Sequence, residues 1–202
     1  SIIIQSMPRN SRILISVFLL LILPRPGFAV NFYDGIRAPK GLYGLTYSSY
    51  YTADKTTDAG GHVSNNDYDY RKNEEILRFC YYSPDLVLTA LIPAGHIHSG
   101  AYQASDEGMG DITLGAGYFL PVKQADVLPA LFVKLRNGAY ESGKTVNYGT
   151  NQYDIRPALF LYKAIGRFSI DGAVKYYFRE QNRATKIAPG NELYLQCLLG
   201  MQ

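Results

Sequence analysis

The stretch GHIHSG, Gly95–Gly100, sets two imidazoles two residues apart with a serine close behind. In an extended chain such neighbours share a side, so His96 and His98 could offer two ligands to one metal ion. Zinc takes about four ligands, and no third stands nearby, so the stretch reads as an extended loop without metal. His96 and Ser99 are also the nearest pair for acyl hydrolysis. That chemistry needs a nucleophile, a base and an orienting acid, and no G-x-S-x-G accompanies them. The acidic run NNDYDYRKNEE carries Asp67, Asp69, Glu74 and Glu75. Calcium wants about six to eight oxygens, and the sharp-turn glycine of an EF-hand loop is missing, so a solvated loop is the reading. None of these groups assembles an enzyme, and no cofactor is implied.

What remains is chemistry spread along alternating segments. In DITLGAGYFL, Asp111–Leu120, the residues Ile112, Leu114, Ala116 and Tyr118 alternate with Thr113, Gly115 and Gly117. Period two marks a strand. The same alternation in Arg167–Arg179 puts Phe168, Ile170, Val174, Tyr176 and Phe178 on one face. Ser169, Asp171, Lys175, Tyr177 and Arg179 take the other. Either the apolar face meets a core, or it meets lipid and the polar face lines a lumen.

If the polar face points inward, parity places Arg78, Lys134, Arg156 and Lys175 inside, with Asp111, Asp171 and Glu192 as their counter-charges. Tyr50, Tyr82, Phe132, Phe160, Tyr162 and Tyr177 fall on the same side, where they could stack on an aromatic solute. They could equally pack a narrow, plugged interior. Tyr43, Tyr47, Tyr51, Tyr81, Tyr118 and Tyr176 fall outward, as an interfacial girdle would.

Eight strands carry these residues: Gly41–Ala53, Glu75–Tyr82, Asp85–Pro93, Asp111–Leu120, Val127–Leu135, Tyr153–Lys163, Arg167–Arg179 and Asn191–Gly200. The connections alternate. Asp54–Glu74, Ala94–Gly110, Arg136–Gln152 and Glu180–Gly190 are long and polar; "SP", "PVKQAD" and "AIG" are short. Outer-membrane barrels have short periplasmic turns and long outer loops. Most strands also reach the ~9–11 residues a tilted membrane strand needs.

The chain start agrees. Met7–Ala29 has a basic head at Arg9 and Arg12, an apolar run Ile13–Leu23, and small residues Gly27 and Ala29 before a cut. This is the pattern of a signal peptide. The run is too short for a helix to cross ~30 Å of hydrocarbon. Ser1–Ser6 receive no role, and residues 30–202 form one domain. A formal charge of +3 and no basic–aromatic blocks give no reason to expect nucleic acid. Cys80 and Cys197 fall on opposite faces by parity, against a disulfide between them.

Several segments then resemble a known family. "GMGDITLGAGYFL", "PALFVKLRNGAYE", "YGTNQYDIRPALFLYKAIGRFSIDGAVKYYF", "APGNELYLQCLLG" and "APKGLYGLTYSSYY" stand as the MetA-pathway of phenol degradation family has its strands. The resemblance covers most of Ile36–Gly200. It implies an outer-membrane barrel for uptake of hydrophobic or aromatic compounds, without catalytic residues. The expectation is an all-β, antiparallel up-and-down β-barrel of at least eight strands in the outer membrane of a Gram-negative bacterium. Its partners would be membrane lipid and a small hydrophobic or aromatic solute. Members of that family tend to be longer and to finish on an aromatic-ended strand. The ending Met201-Gln202 leaves open a truncated chain. A structural or adhesive barrel with a plugged lumen, an outer-membrane acyl hydrolase and a soluble exported β-sandwich are the alternatives. Oligomeric state and solute are not written in the sequence.

Overall fold

The computed structural model describes residues 35–57, 62–64 and 69–201. The signal-peptide reading of Met7–Ala29 and the position of Asp67 lie outside these residues. The strands are β1 Gly41–Ala53, β2 Thr56–Thr57, β3 Val63–Ser64, β4 Tyr70–Tyr82, β5 Leu86–Ser99, β6 Ala104–Met109, β7 Thr113–Tyr118, β8 Asp126–Lys134, β9 Asp154–Ile165, β10 Phe168–Arg179 and β11 Glu192–Met201. The main sheet runs β1-β4-β5-β7-β8-β9-β10-β11, with β6 also on β5. Every pairing is antiparallel. Neighbours along the chain are thus neighbours in space, as in an up-and-down meander. The sheet curls strongly into a half-barrel, with β1 and β11 at its two edges.

The eight long segments follow the hydrophobic alternation, but two boundaries move. β4 starts at Tyr70, five residues before the expected Glu75, and β5 runs on to Ser99 rather than stopping at Pro93. The expected loop Ala94–Gly110 is therefore mostly a paired hairpin, closed by a short 3₁₀ turn at Gly100–Tyr102. The reason lies opposite Pro93. Ala94 pairs with Met109 and Leu91 with Thr113, so Gly110, Asp111 and Ile112 stand against only Ile92 and Pro93. This extra residue is a β-bulge, and bulges are where a strand accepts a proline that cannot donate to the ladder. β6 and β7 are one strand broken by that bulge.

The two faces of the sheet are inverted relative to a protein in water. Leu77, Phe79, Leu88, Leu114, Leu131, Leu159 and Val174 are exposed on one face, while Arg78, Asp111, Lys134, Asp154 and Asp171 are buried on the other. An apolar surface this continuous is unusual on a protein surrounded by water. At the short-turn end the concave face holds an apolar cluster of Cys80, Tyr82, Val87, Phe119, Leu128, Ala158, Phe160 and Ala173. Gly115 and Gly117 of β7 face this interior, and their missing side chains make room for Phe132 and Leu128. The small face of the GAG stretch thus receives Phe132 and Leu128 from β8, and its apolar face points outward.

Phe160→Ala should cost about 3–5 kcal/mol because Phe160 is wholly buried. Leu159→Ala, on the outer face, should stay within about 1 kcal/mol. Urea unfolding of the detergent-refolded protein measures both, and equal losses would contradict the assignment of faces.

Candidate functional site

Away from the apolar cluster, the concave face is organised by carboxylates. Asp111 sits in the bulge and is buried. One of its oxygens accepts the Gly138 amide at 2.8 Å. The other accepts the Thr150 amide at 2.7 Å and the Thr150 hydroxyl at 2.6 Å. Asp106, on β6, accepts the Tyr148 amide at 2.8 Å and the Lys144 ammonium at 2.8 Å. Glu74, on β4, accepts the Tyr148 hydroxyl at 2.9 Å. All three hold one segment, the β8–β9 link of residues 136–152.

That link lies across the inner face. Tyr148 is buried, and the Lys72 ammonium stands 5.4 Å from its ring centre. A Cβ on Gly95 would meet the Tyr148 hydroxyl at 2.8 Å, and one on Gly110 would meet its ring at 3.0 Å. Gly138 is packed so closely on the bulge that a Cβ would meet the Asp111 nitrogen at 2.7 Å. On its other flank the link meets the β10–β11 connection. Asn182 donates to the Thr150 carbonyl at 2.9 Å, and the Arg183 amide to the Asn151 carbonyl at 3.1 Å.

From Thr150 the polar contacts continue down β8 to β11. Lys134 donates to the Thr150 hydroxyl at 2.7 Å and pairs with Asp154 at 3.0 Å. Asp154 also accepts from Arg156 at 2.8 Å and Gln152 at 3.1 Å. The Arg156 guanidinium lies 4.8 Å from the Tyr177 ring centre, and Arg179 lies 5.7 Å from the same ring. The Lys175 ammonium stands 5.2 Å from the Phe160 ring and 5.4 Å from the Tyr194 ring. Arg179 is ion-paired with Glu192. Cations alternating with ring faces in this way can bind a flat aromatic molecule by stacking.

The expected inward residues fall as follows. Arg78 is buried and reaches Thr89 and Tyr47 at 3.1 and 3.3 Å. Tyr82 is buried, edge-on to Tyr43 at 5.6 Å, and Phe132 packs on Phe160 at 6.2 Å. Asp111, Lys134, Phe160 and Asp171 are buried. Arg156, Tyr162, Lys175 and Tyr177 are half-buried on the same face, and Glu192 is exposed at the rim.

Tyr50 is a correction. It pairs with Asn73 and therefore shares the outer face with Ser48 and Glu75, which bond each other. Tyr43 and Tyr47 correct in the opposite sense, since they contact Tyr82 and Arg78 on the inner face. Tyr51 follows their parity and meets Tyr70. β1 carries tyrosines on both faces, so its own alternation does not say which side is inside. Only its register with β4 does.

His96 and His98 lie on strand β5 and not in a loop. His98 contacts Ser105 at 2.9 Å on the outer face, while the buried Ser99 points the other way. Residues three apart on a strand face opposite sides, so His96 and Ser99 do not meet. Glu74 and Glu75 are likewise split between faces. Cys80 is buried and Cys197 exposed, with no disulfide between them.

Sequence reading missed Lys144, Tyr148 and Thr150, because loop residues have no period, and Asp106, because β6 lies inside the expected loop Ala94–Gly110. It also missed Arg37. This residue closes the short-turn end by meeting Asp85 at 3.0 Å, Pro84, Asp126 through its own amide at 3.0 Å, and the Phe119 ring at 4.5 Å.

The sequence pattern of the MetA-pathway of phenol degradation family matches residues 53–201, well over half of the chain. The chain belongs to this family. A solved outer membrane channel from Pseudomonas putida F1 superimposes with a TM-score of 0.67 at 23% identity, over 76% of this chain and 62% of that one. The family member described here therefore has the fold of that channel and spans 62% of its length. No curated protein matches the chain.

The Asp106–Lys144 pair makes the link sensitive to pH in a definite direction. The Lys144 hydrogen bond holds the Asp106 carboxyl below its ordinary 3.8, and the same bond raises the Lys144 ammonium above its ordinary 10.5. A lowered carboxyl stabilises above its ordinary value and loses that as pH falls through the lowered one. A raised ammonium stabilises below its ordinary value and loses that above the raised one. Amide exchange over residues 141–148, normalised to the intrinsic rate, should therefore stay flat from pH 3.8 to 10.5. A rise between about pH 5 and 8 would mean that a histidine holds the segment instead.

Proposed function

We propose that the protein acts in the outer membrane of a Gram-negative bacterium, as a passive route for small hydrophobic or aromatic compounds. The observation that carries this reading is the inversion of the sheet, apolar outside and charged inside, on the fold of an outer membrane channel. Lipid favours apolar side chains and leaves charge to the inside, so a sheet in it must turn its side chains this way. The short turns would face the periplasm and the long links the outside. Phe132, Phe160, Tyr162 and Tyr177 would supply stacking surface along the path. Arg78, Lys134, Arg156 and Lys175, set against Asp111, Asp171 and Glu192, would supply the polar wall. Tyr82 belongs to the apolar floor. The reaction is transport without bond-making, and the separation of His96 from Ser99 supports leaving hydrolysis aside.

A plugged structural barrel is the second reading. The apolar cluster and the inward-lying link favour it, because together they fill much of the concave face.

Two measurements test these. Leu131→Arg puts a charge at a position 49% exposed on the outer face. In lipid it should cost about 2–4 kcal/mol and abolish the heat-modifiable band of the outer-membrane fraction. In a water-soluble protein it should cost almost nothing. Purified protein in vesicles should then pass aromatic solutes, with passage reduced by Phe132→Ala and by Tyr177→Ala. Insertion without any flux would leave the plugged barrel.

A further inference from the structure

His96 and His98 share the outer face of β5, and strand pairing brings carboxylates to them that lie apart in the sequence. Nε2 of His98 stands 3.7 Å from one oxygen of Asp69, the residue before β4. Nδ1 of His96 stands 3.9 Å from Glu107 on β6. Both separations are too long for a hydrogen bond. Two ligands of one zinc ion, each about 2.0–2.2 Å from the metal, stand about 3.3–4.2 Å apart, depending on the angle between them.

The first pair is held in place from behind. His98 keeps Nδ1 on the Ser105 hydroxyl at 2.9 Å, which leaves Nε2 for another partner. Arg71 donates to the other Asp69 oxygen at 2.7 Å. Metal-binding imidazoles and carboxylates are oriented by outer partners of this kind. Asp69 also sits at φ 31°, in the left-handed region that few residues other than glycine enter. Its carbonyl accepts the Gly100 amide at 3.0 Å, and a Cβ on Gly100 would meet the Asp69 Cβ at 2.7 Å. Such strain persists only where the surroundings hold it, and it gathers at ligand sites.

We infer that His98 and Asp69 bind one divalent transition-metal ion of the zinc class on the outer face at the long-loop end, with His96 as the third ligand. Among the described residues no three such groups converge as they stand. His96 lies two residues from His98 on the same side of β5, and its side chain is 44% exposed, so its ring can turn from Glu107 toward the ion. Water fills the fourth position. Imidazole ligands set the site apart from calcium and magnesium, which take oxygens. The bound ion ties the start of β4 to the β5–β6 hairpin. The inference rests on the pairing of the strands and is independent of any passage of solutes.

The test titrates the refolded full chain with zinc ions alone, followed by calorimetry. One ion should bind per chain, and binding should fade as pH falls below about 6.5, where imidazole takes up a proton. His98→Gln and Asp69→Asn should each weaken binding by about tenfold or more, and Ser105→Ala by about tenfold through the loss of an outer partner. Circular dichroism checks that each variant keeps the sheet. Copper(II) in place of zinc reads the ligands directly, because His96→Gln should remove one coupled nitrogen from its electron paramagnetic resonance spectrum. Calcium ions at the same concentration should not compete. Absence of zinc binding, or equal binding by wild type and Asp69→Asn, would overturn the site. An unchanged nitrogen count in His96→Gln would remove His96 from it.

Discussion

A carboxylate removed from water must be given donors, and the interior of this sheet is arranged around that need. Asp111 and Asp106 are buried on the concave side, and a β-strand has no spare backbone N–H groups to offer them. The donors have to arrive from elsewhere, and they come from the link between β8 and β9. Its amides at Gly138, Tyr148 and Thr150 are the groups that a loop in solvent would leave to water. One interaction thus satisfies a buried charge and a stretch of irregular backbone together. A buried pair of this kind adds little net stability over an apolar substitute, but breaking it leaves an uncompensated charge and is costly. Its effect is to specify one position for the segment.

Small residues make that position available. Gly95 and Gly110 clear the wall where Tyr148 lies, Gly108 makes room for Ala139, and Gly138 sits against the bulge. Gly108 also takes a φ of 145°, a backbone setting that side chains rarely adopt, at the entrance to the bulge. The bulge turns Asp111 inward and accommodates Pro93 opposite. Strand, bulge and link are therefore one construction. At the other end of the sheet the same economy operates with apolar groups, where Gly115 and Gly117 admit Phe132 and Leu128.

On the outer-membrane reading proposed above, the outer face obeys a different solvent. Leu77, Phe79, Leu88, Leu114, Leu131, Leu159 and Val174 stand exposed there at more than a third of their surface. Membership of the MetA-pathway of phenol degradation family and the fold shared with an outer membrane channel give that exposure its physical sense. Hydrocarbon favours what water would penalise, so the concave side becomes the place for charge. Cation–ring contacts along β9, β10 and β11 then put charge and aromatic surface in the same place.

The alternation of Ile112, Leu114, Ala116 and Tyr118 against Thr113, Gly115 and Gly117 was enough to mark a strand, and the alternation of link lengths was enough to order the hairpins. Period two is a property of the backbone, so local sequence determined the meander by itself. The same alternation showed which residues travel together on one face, and Arg78, Lys134, Phe160 and Asp171 are buried. It could not decide β1, where tyrosines occupy both faces and a shift of one residue exchanges them. The register with β4 settled Tyr43, Tyr47 and Tyr50. Nor could it show Tyr148 meeting Asp106 and Thr150 meeting Asp111, because a loop carries no period and its contacts span about forty residues of chain. Those contacts exist only once the sheet has curled and brought β6, the bulge and the β8–β9 link to one side. Periodicity is local and therefore readable in the chain; the pairing of buried charge is not, and the tertiary structure alone decided it.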